Sequence, residues 1–153
     1  MLTESSLEHT FAIFEDPYNL AKITPRSLNF QVTSTDRIEM RKGAEIEYTI
    51  GWLGLPIHWK TIIQEYDPPF RFIDEQAKGP YARWIHRHTF ESTEQGTKIH
   101  DQVEYALPFG PLGRLVHLFV VRKQLLRIFN YRQEQLGKML NNTTRQTVKP
   151  HIT

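Results

Sequence analysis

The sequence predicts an α+β domain in which a bent antiparallel sheet is covered by one long C-terminal helix, with two short helices ahead of the sheet. Three observations support this. Apolar residues recur at helical spacing near both ends of the chain, and they alternate with polar residues from about residue 28 to residue 107. The alternating segments are joined by turns too short for parallel crossovers. With 153 residues, 39% of them hydrophobic, the chain can bury one core.

The two short helices are expected near the N-terminus. Ser5 and Glu8 have the spacing of a capping box, in which both side chains satisfy free amides at a helix start. Proline limits both helices, because the residue before a proline is disfavoured in the helical region. The first helix is therefore expected to end before Pro17, and the second, over residues 18–23, before Pro25.

The middle of the chain predicts about six strands in a meander. Alternation is found over residues 28–32, 46–52, 57–63, 70–77, 83–90 and 98–105, with glycine or proline at most of the breaks. One face is expected to meet water, because it places both signs of charge on neighbouring strands, as with Glu45 and Lys60 or Arg87 and Glu104. The opposite face carries large aromatic side chains and needs a cover.

The cover is a long amphipathic helix that begins at Pro111 and runs for about 28 residues. Its apolar stripe is interrupted by Arg122 and consists of Leu115, Leu118, Phe119, Leu125, Ile128, Phe129, Leu136 and Leu140. We expect residues 1–140 to form a single ligand-binding domain and residues 141–153 to form a flexible tail.

The inner face of the sheet mixes bulky rings with polar groups, whereas an ordinary core would be aliphatic. Buried polar groups need hydrogen-bond partners, and ligand pockets combine apolar walls with a few placed polar groups. This composition favours a cavity over a packed core, in which the imidazoles and carboxylates would pair with each other. The expected walls are Tyr48, Trp52, Trp59, Trp84 and Phe119, and the expected polar contacts are Asp74, His86, His88, Asp101 and Tyr105.

Two histidines carry the candidate chemistry. His86 and His88 lie two residues apart on a strand and point the same way, and Asp74 or Asp101 could orient either ring. Such an imidazole could serve as a general base. Ligand orientation or structural hydrogen bonding is the favoured interpretation, so we expect no catalytic residue. A metal would need a third ligand, for which only carboxylates are available, and we expect neither a metal nor a cofactor.

Charge and composition exclude several classes of protein. The net charge of +2 and the absence of phosphate-binding and nucleophile motifs argue against nucleic acid and nucleotides as partners. No secretory signal or membrane span is visible, so a cytoplasmic protein is expected. From residue 112 to residue 149 the only acid, Glu134, faces eight bases: Arg114, Arg122, Lys123, Arg127, Arg132, Lys138, Arg145 and Lys149. This pattern indicates a solvated helix face or a weak contact with an anionic membrane surface.

Several segments resemble the START and birch-pollen-allergen-like superfamily, often called SRPBCC, and within it the bacterial polyketide cyclase/dehydrase-like ligand-binding proteins. The matching segments are FAIFEDPYNL (11–20), ITP (23–25), DPPFRFIDEQ (67–76), GPY (79–81), HRHTF (86–90) and VEYALPFGPLG (103–113). The resemblance implies a helix-grip fold, with the sheet bent around the long helix and a cavity for a hydrophobic molecule between them.

The leading functional hypothesis is a carrier or sequestering protein for a lipid, isoprenoid or polyketide-like molecule. The alternatives are a cyclase or dehydratase that uses His86 or His88 as a base, and a membrane-associating adaptor that uses the basic helix. Members of the superfamily usually begin with a strand, whereas only residues 1–3 precede the first helix here. We therefore expect an open sheet edge that a second copy of the chain covers.

Overall fold

The computed structural model describes residues 1–35, 37–52, 55–108, 120–140 and 151–152, with the backbone alone at residues 52, 151 and 152. Helices α1 (Leu7–Glu15) and α2 (Arg122–Met139) flank most of the sheet in sequence. Two short 3₁₀ helices, Pro17–Ala21 and Arg26–Leu28, follow α1. The strands are β1 (Leu2–Thr3), β2 (Gln31–Val32), β3 (Glu45–Trp52), β4 (Leu55–Asp67), β5 (Arg71–Lys78), β6 (Arg83–Thr93), β7 (Gly96–Ala106) and β8 (His151–Ile152).

The sheet has the order β1-β7-β6-β5-β4-β3-β2, and every neighbouring pair in this path is antiparallel. Strands β2 to β7 follow one another in space as in sequence, which confirms the predicted meander. β8 pairs with β7 in parallel, opposite Gln102 and Val103. Together with α2, this architecture confirms the predicted helix-grip fold.

The N-terminal segment differs in three details from the prediction. A strand does precede the first helix, because β1 pairs with Thr97 and Lys98 of β7. The cap of α1 is Ser6 rather than Ser5, since its hydroxyl accepts from the His9 amide. The expected strand over residues 28–32 is shortened to β2 because Leu28 ends a 3₁₀ helix and Asn29 adopts a left-handed backbone with φ 47°. Dimerisation through the sheet edge stays a prediction.

The water-facing side of the sheet is held by cross-strand ion pairs, as the charge pattern predicts. On β4, Lys60 contacts Glu45 and Glu47 of β3. On β6, Arg87 and Arg83 contact Glu104 of β7. Surface pairs of this kind stabilise a fold by less than about 1 kcal/mol each, so the sheet depends mainly on its inner face.

The inner face packs against the helices through separate apolar clusters. One joins Val121, Leu125 and Phe129 of the C-terminal helical segment to Trp59 and Trp84 of the sheet. The other surrounds Phe11 of α1 and includes Leu140, the residue that follows α2. Its buried members are Phe11, Phe72, Phe90, Ile99 and Leu140.

The helical cover is confirmed over α2, and its predicted beginning at Pro111 lies outside the described residues, as do Leu115, Leu118 and Phe119. Arg122, which interrupts the apolar stripe in sequence, is exposed. Within the described ranges, no helix has both the length and the apolar character that a membrane crossing requires.

Candidate functional site

A cavity of about 480 Å³ lies between the inner face of the sheet and α2. Its volume is in the range of pockets that hold one small organic molecule. Of the expected wall residues, Tyr48, Trp59 and Trp84 line it, whereas the Trp52 side chain and Phe119 lie outside the described residues. The full lining is Leu20, Thr24, Phe30, Tyr48, Ile50, Gly51, Ile57, Trp59, Pro80, Tyr81, Trp84, Leu107, Pro108, Val121, Gln124, Leu125, Ile128, Phe129 and Arg132.

The aromatic wall is centred on Trp59 of β4. Its ring stacks on Tyr48 with centroids 5.8 Å apart and meets Trp84 edge-on at 5.3 Å. The indole Nε1 donates to Thr61 Oγ1 at 3.1 Å, and the Tyr48 hydroxyl lies 3.4 Å from the same oxygen. Burial raises the pKa of Tyr48, so its hydroxyl stays neutral at physiological pH. The polar atoms of Trp59 and Tyr48 are therefore satisfied within the protein, and both rings line the cavity.

Arg132 is the exception in this apolar lining. It lies on the sheet-facing side of α2, one turn after Phe129, and its guanidinium carbon is 5.3 Å from the centroid of the Phe129 ring. Its Nε is buried and has no hydrogen-bond partner among the described residues. Of the lining residues above, Arg132 alone carries a formal charge at neutral pH.

The expected polar contacts form a separate, buried quartet on the same face of the sheet. His88 of β6 lies between two carboxylates, with Nδ1 at 2.6 Å from Asp101 Oδ1 and Nε2 at 3.1 Å from Asp74 Oδ2. His86 lies beside the same two oxygens, with Nδ1 at 3.6 Å from Asp74 and Nε2 at 3.5 Å from Asp101. The strand register explains this geometry, because Asp74 is opposite His86 and Asp101 is opposite His88. The expectation that Asp74 or Asp101 could orient either ring agrees with this geometry at His88, whereas the Nε2 of His86 is buried without a hydrogen-bond partner among the described residues.

The quartet divides its charges unequally. Burial disfavours the charged form of His88, but the charge and hydrogen bond of Asp101, aided by Asp74, outweigh burial and raise the pKa of His88 to about 9. Burial and the neighbouring His88 charge lower the pKa of His86. For both aspartates burial acts in the opposite sense but is outweighed by the histidines, so the pKa of each carboxyl is lowered. At neutral pH the quartet thus holds one imidazolium between two carboxylates, beside a neutral imidazole.

Phe129 stands between this quartet and the cavity. The His86 ring meets Phe129 edge-on with centroids 5.7 Å apart, and Phe129 lines the cavity. The second imidazole of the quartet, His88, stacks on the Phe72 ring with centroids 4.2 Å apart. None of the four quartet residues lines the cavity as it is described. Tyr105 is also absent from the lining and packs against Tyr81 and Trp84.

Three quartet side chains are close enough to suggest a metal site. One donor atom each from Asp74, His86 and His88 can be chosen so that all lie within 4.8 Å of one another. A metal ligand must be deprotonated, however, and both nitrogens of His88 face carboxylate oxygens, an arrangement that stabilises the imidazolium. The expectation that the protein binds no metal stays a prediction.

Our predictions missed two lining residues, of which only Arg132 has a signal in the sequence. Arg132 is at helical spacing from Phe129 and Leu136, so it occupies the apolar stripe rather than the basic face. Tyr81 follows the Gly79-Pro80 turn, and its backbone is fixed by the Gln76 side chain, which accepts from the Tyr81 amide and donates to its carbonyl. A tertiary contact of this kind has no periodic signal in the sequence.

Comparison with protein families identifies one match that covers most of the chain. Residues 3–128 match the family described as "Polyketide cyclase / dehydrase and lipid transport". No curated protein matches the sequence significantly.

Solved structures share the fold at low sequence identity. Protein CV1439 from Chromobacterium violaceum is 15% identical, with 94% of each chain covered and a TM-score of 0.70. A protein from Rhodobacter sphaeroides is 20% identical over 92% of this chain and 88% of its own, with a TM-score of 0.68. Ara h 8.0201 is 18% identical over 92% of this chain and 95% of its own, with a TM-score of 0.60. These similarities establish a common architecture.

Proposed function

The chain belongs to the polyketide cyclase/dehydrase and lipid transport family, and from this premise we propose that it binds one hydrophobic small molecule between the sheet and α2. It would act as a carrier or sequestering protein. The supporting observation is the aromatic cavity of about 480 Å³, in whose wall the Trp59 Nε1 and the Tyr48 hydroxyl both lie within hydrogen-bond distance of Thr61 Oγ1. Burial of apolar ligand surface against such walls is favourable by roughly 25 cal/mol per Å².

We propose Tyr48, Trp59, Trp84 and Phe129 as ligand contacts and assign the quartet a structural role. A general base must come within hydrogen-bond reach of the proton it removes. His86 and His88 are 4% and 5% exposed, and Phe129 lies between the His86 ring and the cavity. This geometry favours binding over the cyclase or dehydratase alternative.

Filling the cavity tests the proposal. We expect Ile128→Trp to abolish the fluorescence enhancement of N-phenylnaphthylamine, a neutral apolar probe, because Ile128 lines the cavity and a larger ring would occupy it. Leu126→Trp is the matched control, since Leu126 is half-buried on the same helix and is not part of the lining. Native mass spectrometry after mild purification should show a co-purified apolar ligand in the parent protein. A parent protein that binds neither the probe nor any member of a hydrophobic library contradicts the proposal.

A second candidate function is docking at an anionic membrane surface for ligand exchange. Arg122, Lys123 and Arg127 are exposed on α2 and form no ion pair with any residue that the structure describes. Basic helix faces bind anionic lipids by electrostatic attraction. This contact would place the helix that covers the cavity against the membrane.

A further inference from the structure

We propose that the ligand carries a single carboxylate, which pairs with Arg132 inside the apolar cavity. This inference rests on the proposed binding function and names the chemical class of the ligand. It comes from one feature of the cavity, which is that Arg132 belongs to an otherwise uncharged lining and forms no ion pair with any described residue.

The guanidinium of Arg132 has no hydrogen-bond or ion-pair partner in the part of the chain that the structure describes. Its Nε is buried without a hydrogen bond, and Arg132 forms no ion pair with any described residue. A buried donor left unpaired costs about 1 to 3 kcal/mol, and more when the group is charged. The contact with the Phe129 ring supplies only part of the missing stabilisation. An anionic ligand group beside the guanidinium would balance its charge.

The nearby carboxylates already make contacts within the quartet. The positive charge of Arg132 helps to lower the pKa of Asp74, so the two groups interact at a distance. Asp74 nevertheless directs Oδ2 toward His88, at 3.1 Å. The charge of Arg132 also acts on the hydroxyl of Tyr48, which lines the cavity, and it opposes the rise in the pKa of that hydroxyl caused by burial. The positive charge of Arg132 therefore acts inside the cavity, and no acidic side chain is among the described lining residues.

A carboxylate fits this position better than other anions. Its two oxygens match the fork of a guanidinium, and its single charge balances a single arginine. A phosphate monoester would bring nearly two negative charges into a wall with one cation. The lining contributed by the C-terminal helical segment runs from Val121 to Arg132, about 16 Å along the helix axis, and it is mainly apolar. A long-chain carboxylic acid lying along α2 satisfies both the charge and the walls.

Matched ligands test the inference. We expect the parent protein to bind hexadecanoate about 10 to 100 times more tightly than hexadecanol at neutral pH, the range for a charge-assisted hydrogen bond. Arg132→Met should abolish this preference. Arg132→Lys should keep part of it, because lysine retains the charge without the fork. Arg127→Met is the control, since Arg127 is exposed on the same helix and lies outside the lining.

A second measurement needs no variant. Hexadecanoic acid labelled with carbon-13 at its carboxyl group should show by NMR a bound pKa below its value in water, because the guanidinium favours the charged form. Equal affinity for acid and alcohol, retention of the preference in Arg132→Met, or an unshifted carboxyl pKa would overturn the carboxylate assignment while leaving the binding function intact. Failure of the parent protein to bind the acid, the alcohol and the neutral probe would instead overturn the binding function itself.

Discussion

The protonated form of His88 interacts favourably with both carboxylates of the buried quartet, so the stability of the protein depends on pH. The folded pKa of His88 is raised to about 9, whereas that of an unfolded histidine is about 6.5. The resulting stabilisation is complete below pH 6.5 and is lost as the pH rises through about 9. We expect urea unfolding to show a loss of about 3 kcal/mol between pH 6.5 and pH 10 from this group.

His88→Gln should remove this part of the pH dependence, so the difference in unfolding free energy between parent and variant should shrink above pH 9. His100→Gln is the control because His100 is exposed on β7, outside the quartet. An equal alkaline loss in the parent protein and in His88→Gln would show that His88 is not the group responsible.

Asp101 and Glu104 offer a contrast between a buried and a surface carboxylate on one strand. Asp101→Asn leaves the His88 imidazolium with one carboxylate instead of two, and removing one partner of a buried pair costs about 3 to 5 kcal/mol. Glu104→Gln breaks the surface contact with Arg87 and should cost less than about 1 kcal/mol. Urea denaturation measures both, and NMR titration should show a lower His88 pKa in Asp101→Asn. Comparable costs for the two variants would contradict the assignment.

At the scale of elements, a glycine allows the turn between β6 and β7 to pack closely against β1. Gly96 has φ +119°, and a Cβ there would lie 2.1 Å from the backbone oxygen of Thr3. Gly96→Ala should therefore cost about 3 kcal/mol or more, from backbone strain together with displacement of β1. Gly43 is the matched control because its φ is +83° and nothing lies within 4 Å of a Cβ built there. Gly43→Ala should cost about 1 to 2 kcal/mol in thermal or urea unfolding. Equal losses of unfolding free energy in Gly96→Ala and Gly43→Ala would show that the contact with β1 does not add to the cost of Gly96→Ala.

The sequence predicted those elements whose side chains repeat with a regular period. Alternation located strands β3 to β7 to within a few residues, and β4, β6 and β7 bury alternate residues over much of their length. The same alternation placed Asp74, His86, His88 and Asp101 on one face, where they do meet. The predicted second helix over residues 18–23 overlaps the 3₁₀ helix Pro17–Ala21. β1 and the 3₁₀ helix Arg26–Leu28 were missed because two or three residues are too short to show a period.

Periodicity identifies a face but not a position within it. Trp59 and His88 share the inner face of the sheet, yet one lines the cavity and the other stacks on Phe72 away from the lining. That difference depends on the path of α2, which places Phe129 between the two groups. The same limit hid Arg132, whose position in the apolar stripe gives no indication that its Nε is unpartnered.

At the scale of the whole molecule, charge is segregated between the sheet and the C-terminal segment. On the sheet, lysine and arginine pair with acids across neighbouring strands. On α2, the described ion pair joins Glu134 to Lys138, so Arg122, Lys123 and Arg127 face solvent without a described counter-ion. This arrangement of charge would attract the helical side of the cavity to an anionic membrane surface.

Sedimentation with vesicles tests that approach. We expect the protein to sediment with phosphatidylserine-containing vesicles at low salt, because each basic side chain near the surface adds about 1 kcal/mol of attraction. Charge reversal at Arg122, Lys123 and Arg127 should abolish sedimentation while leaving N-phenylnaphthylamine binding unchanged, since none of the three lines the cavity. Reversal at Arg41, Lys42 and Lys78, all exposed outside α2, is the matched control. Sedimentation that is insensitive to salt, or is lost equally in both triple variants, would assign the attraction to overall charge rather than to the helix that covers the ligand.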